Sequence, residues 1–172
     1  MAVLLDVDGT LIDSNDAHAH AGVETGRRTG HPIAYHHVRW LIGMGGDRVL
    51  PAMTGISAES PQGKELLERR GEIFRSEFLP SLRAFAGARE LLQRLLDEGH
   101  DLVVATSASE KDMTALLAQA ELDDLIQCQT SRDDAEESKP APDIVDAALQ
   151  RAHASAPHSV MIGDTPYDVI AA

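Results

Sequence analysis

Two aspartates in the first apolar run of the chain constrain its fold more than any other feature of the sequence. The residues from Val3 to Leu5 are typical of a buried strand, Asp6 interrupts the run, and Asp8 follows two positions later. Side chains two residues apart lie on the same side of an extended backbone, so both carboxylates would face one space. Burying two acids together is costly unless a cation or a proton lies between them. Because ligands of open α/β sheets bind at the carboxyl ends of strands, we predict a site here.

The turn after this strand distinguishes between two kinds of acidic loop. Gly9 lets the chain turn, and Thr10 places a hydroxyl beside the acids. A calcium loop of the EF-hand type does not fit, since Ala17 stands where a bidentate Glu is needed and Leu11 where the turn needs Gly. The Asp-Val-Asp-Gly-Thr stretch at 6–10 resembles motif one of the haloacid dehalogenase-like (HAD) hydrolases. The resemblance implies an α/β fold with a Rossmann-like parallel sheet core.

Residues 14–84 carry helix signals and no strand signal. Gly30 and Pro32 break the first helix, and Ser60 followed by Pro61 is typical of a helix start. The predicted helices cover residues 17–28, 38–42, 47–53 and a longer stretch from Ser60 to Pro80. The resemblance implies that this segment is an inserted all-helical cap domain of the C1 type, as in the phosphatase and phosphoglucomutase-like subgroup.

From residue 85 onward, strand and helix patterns alternate. We predict strands at 101–105, 126–129 and 160–162, with helices at 88–98, 110–120 and 143–152 between them. This alternation predicts a parallel sheet with right-handed crossovers. We therefore assign residues 1–13 and 85–172 to the core and 14–84 to the cap. Family members usually continue by another helix and an edge strand after the position of Ala172, so we expect a C-terminal part of the core to be missing.

Polar residues follow the second predicted strand and precede a predicted helix. Thr106 and Ser107 come directly after the strand, where hydroxyls and free backbone N–H groups can hold phosphate oxygens. Lys139 stands before Pro140, which stiffens the backbone and would present a cation on a rigid loop. By resemblance, Thr106 matches motif two and Lys139 matches motif three.

Two further acids follow the last predicted strand. The Gly163–Asp168 stretch resembles motif four, Gly-Asp-x-x-x-Asp, in which Asp164 matches a metal ligand and Asp168 a second acid near the metal. Mg²⁺ prefers carboxylate, carbonyl and water oxygens. The metal site implied by the resemblance consists of Asp6, Asp8 through its carbonyl, Asp164 and Asp168, with Mg²⁺ as the cofactor.

Other candidate residues carry weaker signals. His18, His20 and Glu24 could make a metal-binding helix face, but we interpret the histidines as solvated. Arg48 lies beside the glycine loop of the insertion and is a candidate substrate contact, against the alternative of an ordinary surface charge. Cys128 is interpreted as a small buried apolar residue.

Charge and cysteine content limit the classes of partner. The net charge of -13 disfavours nucleic acid, whose phosphates would be repelled. A single cysteine excludes an internal disulfide and a four-cysteine zinc site. The first strand leaves no room for a signal peptide, and no apolar run reaches the ~20 residues of a membrane helix. We expect a cytoplasmic protein whose partner is a small phosphorylated metabolite, with the oligomeric state open.

The resemblance implies a Mg²⁺-dependent phosphatase with defined roles for four residues. Asp6 would attack phosphorus and form an aspartyl-phosphate, and Asp8 would protonate the leaving alcohol and then deprotonate water. Thr106 and Lys139 would stabilise the transferring phosphoryl oxygens, with Ser107 as a further substrate contact. The cap would close over the site and select the substrate.

Four alternatives are kept. A haloalkanoate dehalogenase lacks the second acid of motif one, so Asp8 argues against it. A β-phosphoglucomutase-type phosphotransferase shares every core motif, but Arg48 is not clearly at the position of its cap arginine. A phosphonate hydrolase would need an imine-forming cap lysine, for which Lys64 is the only candidate in the insertion. A catalytically silent fragment of the same fold would bind or regulate instead.

Overall fold

The computed structural model describes residues 1–172 and contains one four-stranded sheet in which every neighbouring pair is parallel. Along the chain the strands are β1 (Ala2–Leu5), β2 (Asp101–Ala105), β3 (Cys128–Thr130) and β4 (Ser159–Ile162). Their spatial order is β3-β2-β1-β4, so β1 lies between the strands that precede Thr106 and Asp164. Parallel strands end on the same side of the sheet, and this order therefore brings the three predicted strand-end motifs together.

Eight α-helices connect and cover the strands. They are α1 (Asn15–Thr29), α2 (Tyr35–Leu41), α3 (Gly46–Thr54), α4 (Pro61–Ile73), α5 (Ala88–Asp97), α6 (Glu110–Gln119), α7 (Asp143–Arg151) and α8 (Pro166–Ala171). The alternating side chains of β1 divide between the two faces of the sheet, as period two requires. Val3 and Leu5 pack in the larger core cluster with residues of α5 and α6, and Leu4 packs in a second cluster with residues of α7. Coverage of both faces explains why the central strand β1 is continuously apolar.

The segment between β1 and α5 contains helices and no strand of the sheet, which confirms the predicted α/β core with an inserted all-helical domain. The exact limits of this insertion, at 13/14 and 84/85, stay predictions. The predicted helix from Ser60 to Pro80 is not a single α-helix, because α4 ends at Ile73 and continues as a π-helix (Phe74–Phe78) and a 3₁₀ turn (Leu79–Ser81). None of the helices combines the length and the apolar character needed to cross a bilayer.

The third strand differs from the prediction by two residues. β3 begins at Cys128, opposite Val103, rather than at Ile126. The side-chain oxygen of Gln127 accepts the backbone N–H of Leu102 at 2.9 Å. This side chain takes the place that a backbone carbonyl would have in a longer strand, and so it delays the start of regular pairing.

Candidate active site

Asp6 lies at the carboxyl end of the central strand and is buried, with 5% of its surface exposed. Its backbone N–H donates to the carbonyl of Ile162 at 2.9 Å, which continues the pairing of β1 with β4 by one residue. Burial is the main cause that raises the pKa of Asp6 to about 7; the charge of Lys139 opposes this shift, whereas Asp168 and Asp8 add to it. The Asp6 carboxylate is therefore a group whose ionisation depends on the cations placed beside it.

Lys139 is the buried cation of the site. Its Nζ donates to Asp6 Oδ1 at 2.7 Å and to Asp168 Oδ1 at 2.6 Å, and the side chain is fully buried. Burial alone would lower the pKa of Lys139, but the two carboxylates outweigh this effect and raise it. Asp168 is fixed in turn by Thr165, whose backbone N–H and hydroxyl donate to its Oδ2 at 3.0 and 2.6 Å. The ammonium thus remains charged between two acids from distant parts of the chain.

Three of the four predicted metal ligands converge in this region. Asp6, Asp164 and Asp168 each place one carboxylate oxygen within 4.8 Å of the other two. The amide of Asn15 donates to Asp164 Oδ2 at 2.8 Å. Gly9 has a φ of 80°, and a Cβ at this position would collide with both the Asn15 amide and the Asp164 carboxylate. A set of carboxylate oxygens suits a hard cation such as Mg²⁺, so the donor chemistry fits the predicted metal.

The carboxylate of Asp8, by contrast, faces α1. Ser14 Oγ and His18 Nε2 lie 2.5 and 2.7 Å from Asp8 Oδ1, whereas no donor of the protein lies on Oδ2. Arg70 Nη2 lies 2.8 Å from His18 Nδ1. Because a guanidinium can only donate, Nδ1 must accept, and the hydrogen of the neutral ring is on Nε2, directed at Asp8. Burial would raise the pKa of Asp8, but the hydrogen bonds from His18 and Ser14 and the positive charge of Arg70 give a net lowering.

The interpretation of His18 as a solvated histidine was wrong. The ring is 4% exposed and stacks on Phe74, with the ring centroids 3.9 Å apart and an interplanar angle of 11°. Ser14, at the N-cap of α1, places its hydroxyl on Asp8 instead of on the helix N–H groups, and His18 follows one turn later. The available signal was that Ser14 and Asn15 are residue types that favour helix N-caps, since a helix that starts so close to Asp8 must direct its first turn at the site. His20 is exposed, as predicted.

Asp6 and Asp8 line a cavity of about 340 Å³ between the sheet and the insertion. Thr106 and Ser107, after β2, line the same cavity. The Thr106 side chain is buried, and its Oγ1 accepts the backbone N–H of Ala108 at 3.1 Å. The structure therefore brings both predicted hydroxyl residues to the cavity that the two acids line.

The predicted substrate contact Arg48 is not brought to this cavity. Its guanidinium donates to the carbonyl of Ser138 at 3.1 Å and to Glu137 at 2.7 Å, and the residue is absent from the cavity wall. Arg48 instead joins α3 to the loop that carries Lys139. Lys64, the lysine that a phosphonate hydrolase would need, is 65% exposed and lies 3.3 Å from Glu59, so it lacks the burial that would make its amine nucleophilic.

Comparison with known proteins yields one family and several relatives. A family model described as "Haloacid dehalogenase-like hydrolase" matches residues 3–172. A phosphoglycolate phosphatase of Rhodobacter capsulatus is 27% identical over 97% of this chain and 77% of its own length. Pyrophosphatase PpaX of Anoxybacillus flavithermus is 25% identical over 98% of this chain and 77% of its own length. The crystal structure of a hydrolase from Pseudomonas syringae is 29% identical, with a TM-score of 0.91 over 99% of this chain and 79% of that one.

Proposed function

Since the chain belongs to the haloacid dehalogenase-like hydrolases, we propose that it is a Mg²⁺-dependent phosphatase that hydrolyses a small phosphate monoester through an aspartyl-phosphate on Asp6. The observation that carries the proposal is that Asp6, which lines the cavity together with Asp8, is paired from behind the wall with the buried Lys139 at 2.7 Å. Phosphatase activity in similar proteins, such as the phosphoglycolate phosphatase of Rhodobacter capsulatus, supports it.

In the first half of the proposed reaction, a carboxylate oxygen of Asp6 attacks phosphorus and the bond from phosphorus to the alcohol oxygen breaks. The departing oxygen takes a proton from the carboxyl group of Asp8, and we assign this transfer to Oδ2, which has no other partner. Lys139 and Thr106 stabilise the phosphoryl oxygens as negative charge develops on them. The alcohol then leaves, and the phosphoryl group stays on Asp6.

In the second half, water attacks the aspartyl-phosphate, Asp8 takes the proton of that water, and inorganic phosphate leaves. The hydrogen bond from His18 suits this half, because it favours the ionised form of Asp8 that accepts a proton. The bound Mg²⁺ would be held by Asp6, Asp164 and Asp168, with the carbonyl of Asp8 that the resemblance implies, and would offset the repulsion between Asp6 and the phosphate.

A phosphotransferase acting on a sugar phosphate is the second candidate from the sequence, and the structure gives it less support. Such an enzyme needs a cation for the phosphate that is not transferred. Arg48 is engaged with Glu137 and Ser138, away from the cavity. Hydrolysis of sugar phosphates, measured with and without a bisphosphate activator, separates the two, since only a phosphotransferase requires the activator.

The role of Asp8 predicts a dependence on the leaving group. Asp8→Asn should lower kcat/KM for alkyl phosphates by about 10² to 10⁴, the usual contribution of general acid–base catalysis. An aryl phosphate needs no proton at its leaving oxygen, so its aspartyl-enzyme should form at nearly the wild-type rate, measured as a burst of released phenol. Equal losses of leaving-group release for both kinds of ester would remove Asp8 from the acid role. Asp13→Asn, an exposed acid on the same loop, is the matched control.

The metal assignment predicts a change in thermal stability. Millimolar Mg²⁺ should raise the melting temperature, because a cation that binds the folded acids shifts the equilibrium by mass action. Asp164→Ala should weaken this rise, whereas Asp101→Ala, an exposed acid at the opposite end of the sheet, should leave it unchanged. A melting temperature indifferent to Mg²⁺, in a protein that hydrolyses phosphate esters equally well in EDTA, would contradict the proposal.

A further inference from the structure

The cavity that begins at Asp6 and Asp8 extends far beyond the space a phosphoryl group needs. His18, which contacts Asp8, and Thr29 both line it. The two residues are eleven positions apart on α1, so at the helical rise of 1.5 Å they lie ~16 Å apart along the helix axis. The cavity therefore continues along α1 into the helical insertion, where the leaving group of an ester held at Asp6 would lie.

Apolar side chains line that part of the cavity together with three threonines and His31. The apolar residues are Ile33, Ile42, Val49, Leu50, Met53 and Leu66. The threonines there offer few free donors. The hydroxyls of Thr25, Thr29 and Thr54 donate to the backbone carbonyls four residues earlier, at 2.7, 2.8 and 2.8 Å. Because these hydroxyl hydrogens are already donated inside the helices, the threonines add little polarity to the wall. Burial of a hydrocarbon group is therefore favoured there over burial of a charged group.

The charges around the cavity also disfavour a second anion. Six acidic side chains line it, against three basic ones. Lys64 lies 3.3 Å from Glu59 and Arg132 lies 3.5 Å from Asp47, so both are paired with acids, whereas Arg70 contacts the neutral ring of His18 next to Asp8 and forms no ion pair. A second anion at the far end of a long leaving group would lie beyond Arg70 in an acidic, partly apolar space, which is unfavourable.

From this wall we infer that the substrate is the phosphate monoester of an uncharged alcohol with an extended apolar group. The inference rests on the proposed function, since it places the phosphate at Asp6. The chemical class is an alkyl or arylalkyl phosphate.

A series of n-alkyl phosphates tests the inference. From ethyl to butyl to hexyl phosphate, kcat/KM should rise about fourfold per methylene, the factor that corresponds to burying one CH₂ group. 2-Phosphoglycolate and pyrophosphate should be hydrolysed more slowly than butyl phosphate. Rates that do not change with chain length, or a preference for 2-phosphoglycolate or pyrophosphate over hexyl phosphate, would overturn the inference.

Binding separates failure of this inference from failure of the proposed function. If no ester is hydrolysed, the proposed function fails, but the dissociation constants of ethyl-, butyl- and hexylphosphonate still report on the cavity by calorimetry. Tightening of about fourfold per methylene supports the apolar site, and equal dissociation constants for the three phosphonates, or no binding, refute it.

Variants in α3 locate the apolar group. Val49→Phe fills the cavity and should lower the ratio of hexyl to ethyl phosphate kcat/KM at least tenfold. Ala52→Phe, exposed on the same helix and outside the cavity wall, should leave that ratio unchanged. Because Val49 is buried and the larger residue could prevent folding, Met53→Phe at a partly exposed wall position is the second variant. An unchanged ratio in folded variants at both wall positions would contradict the inference.

Discussion

Replacement of Asp6 by asparagine should abolish turnover of every phosphate ester, with a loss of at least ~10⁴ in kcat, because an amide cannot form the bond to phosphorus. The fold should remain. Asparagine has nearly the same shape, and its carbonyl oxygen can still accept a hydrogen bond from Lys139. The substitution also removes a buried carboxyl group, whose pKa is raised to about 7 by burial. Phosphate release and circular dichroism, measured on the same preparation, test both parts.

The control for this variant is Asp13→Asn, which changes an exposed acid of the same loop in the same way and should retain full activity. Freshly purified Asp6→Asn protein that still shows substantial Mg²⁺-dependent hydrolysis would show that another group attacks phosphorus. A fully unfolded variant would instead show that the charge of Asp6 is needed for folding. That result would contradict our expectation that burying this charge is unfavourable.

Replacement of Lys139 by methionine should have the largest effect on stability. It leaves Asp6 and Asp168 close together without their shared cation. Removal of one partner of a buried ion pair typically lowers the free energy of unfolding by about 3–5 kcal/mol. For a domain of this size we expect the melting temperature to fall by roughly 10 °C. Activity should fall by about 10² or more, since a donor to the phosphoryl oxygens is also lost.

The pH dependence of the stability of Lys139→Met identifies the cause of its lower melting temperature. Without Lys139 the pKa of Asp6 should rise further in the folded state, because burial, Asp168 and Asp8 all act in that direction. A carboxyl group whose pKa is raised by folding favours the folded state at low pH and opposes it at high pH. The destabilisation, measured in EDTA, should therefore be larger at pH 8 than at pH 6. Lys64→Met, which removes an exposed lysine 3.3 Å from Glu59, should change stability little at either pH.

The sequence predicted the elements of the fold because its strands and helices follow simple periods. Apolar runs ending in Asp6, Thr106 and Gly163 each become a strand of the parallel sheet. The order of the strands then brings the motifs to one edge, as parallel topology requires. The misplaced start of β3 has a local cause, the side chain of Gln127, which no period of apolar residues could reveal.

The residues that support the acids were not predictable in the same way. His18 reaches Asp8 across ten positions, but Arg70 reaches His18 across 52, and Asn15 reaches Asp164 across 149. Such contacts depend on the path of the helical insertion, and no spacing in the sequence encodes that path. Arg48 illustrates a second limit of sequence spacing: its position beside a glycine loop suggested a substrate contact, and in the structure it donates to Glu137, 89 positions away.

The placement of β1 between β2 and β4 has a consequence for how the protein matures on the ribosome. The strand that leads to Asp6 is made before the other strands, whereas β4 and the helix that carries Asp168 are made after them. At about 5–20 residues per second, roughly 10–30 s separate the two ends of the site. During this time one edge of β1 lacks its partner, and Lys139 has yet to join both acids. The acids of the site are therefore not held together in a nascent chain until the segment that carries Asp168 has been made and β4 can pair with β1.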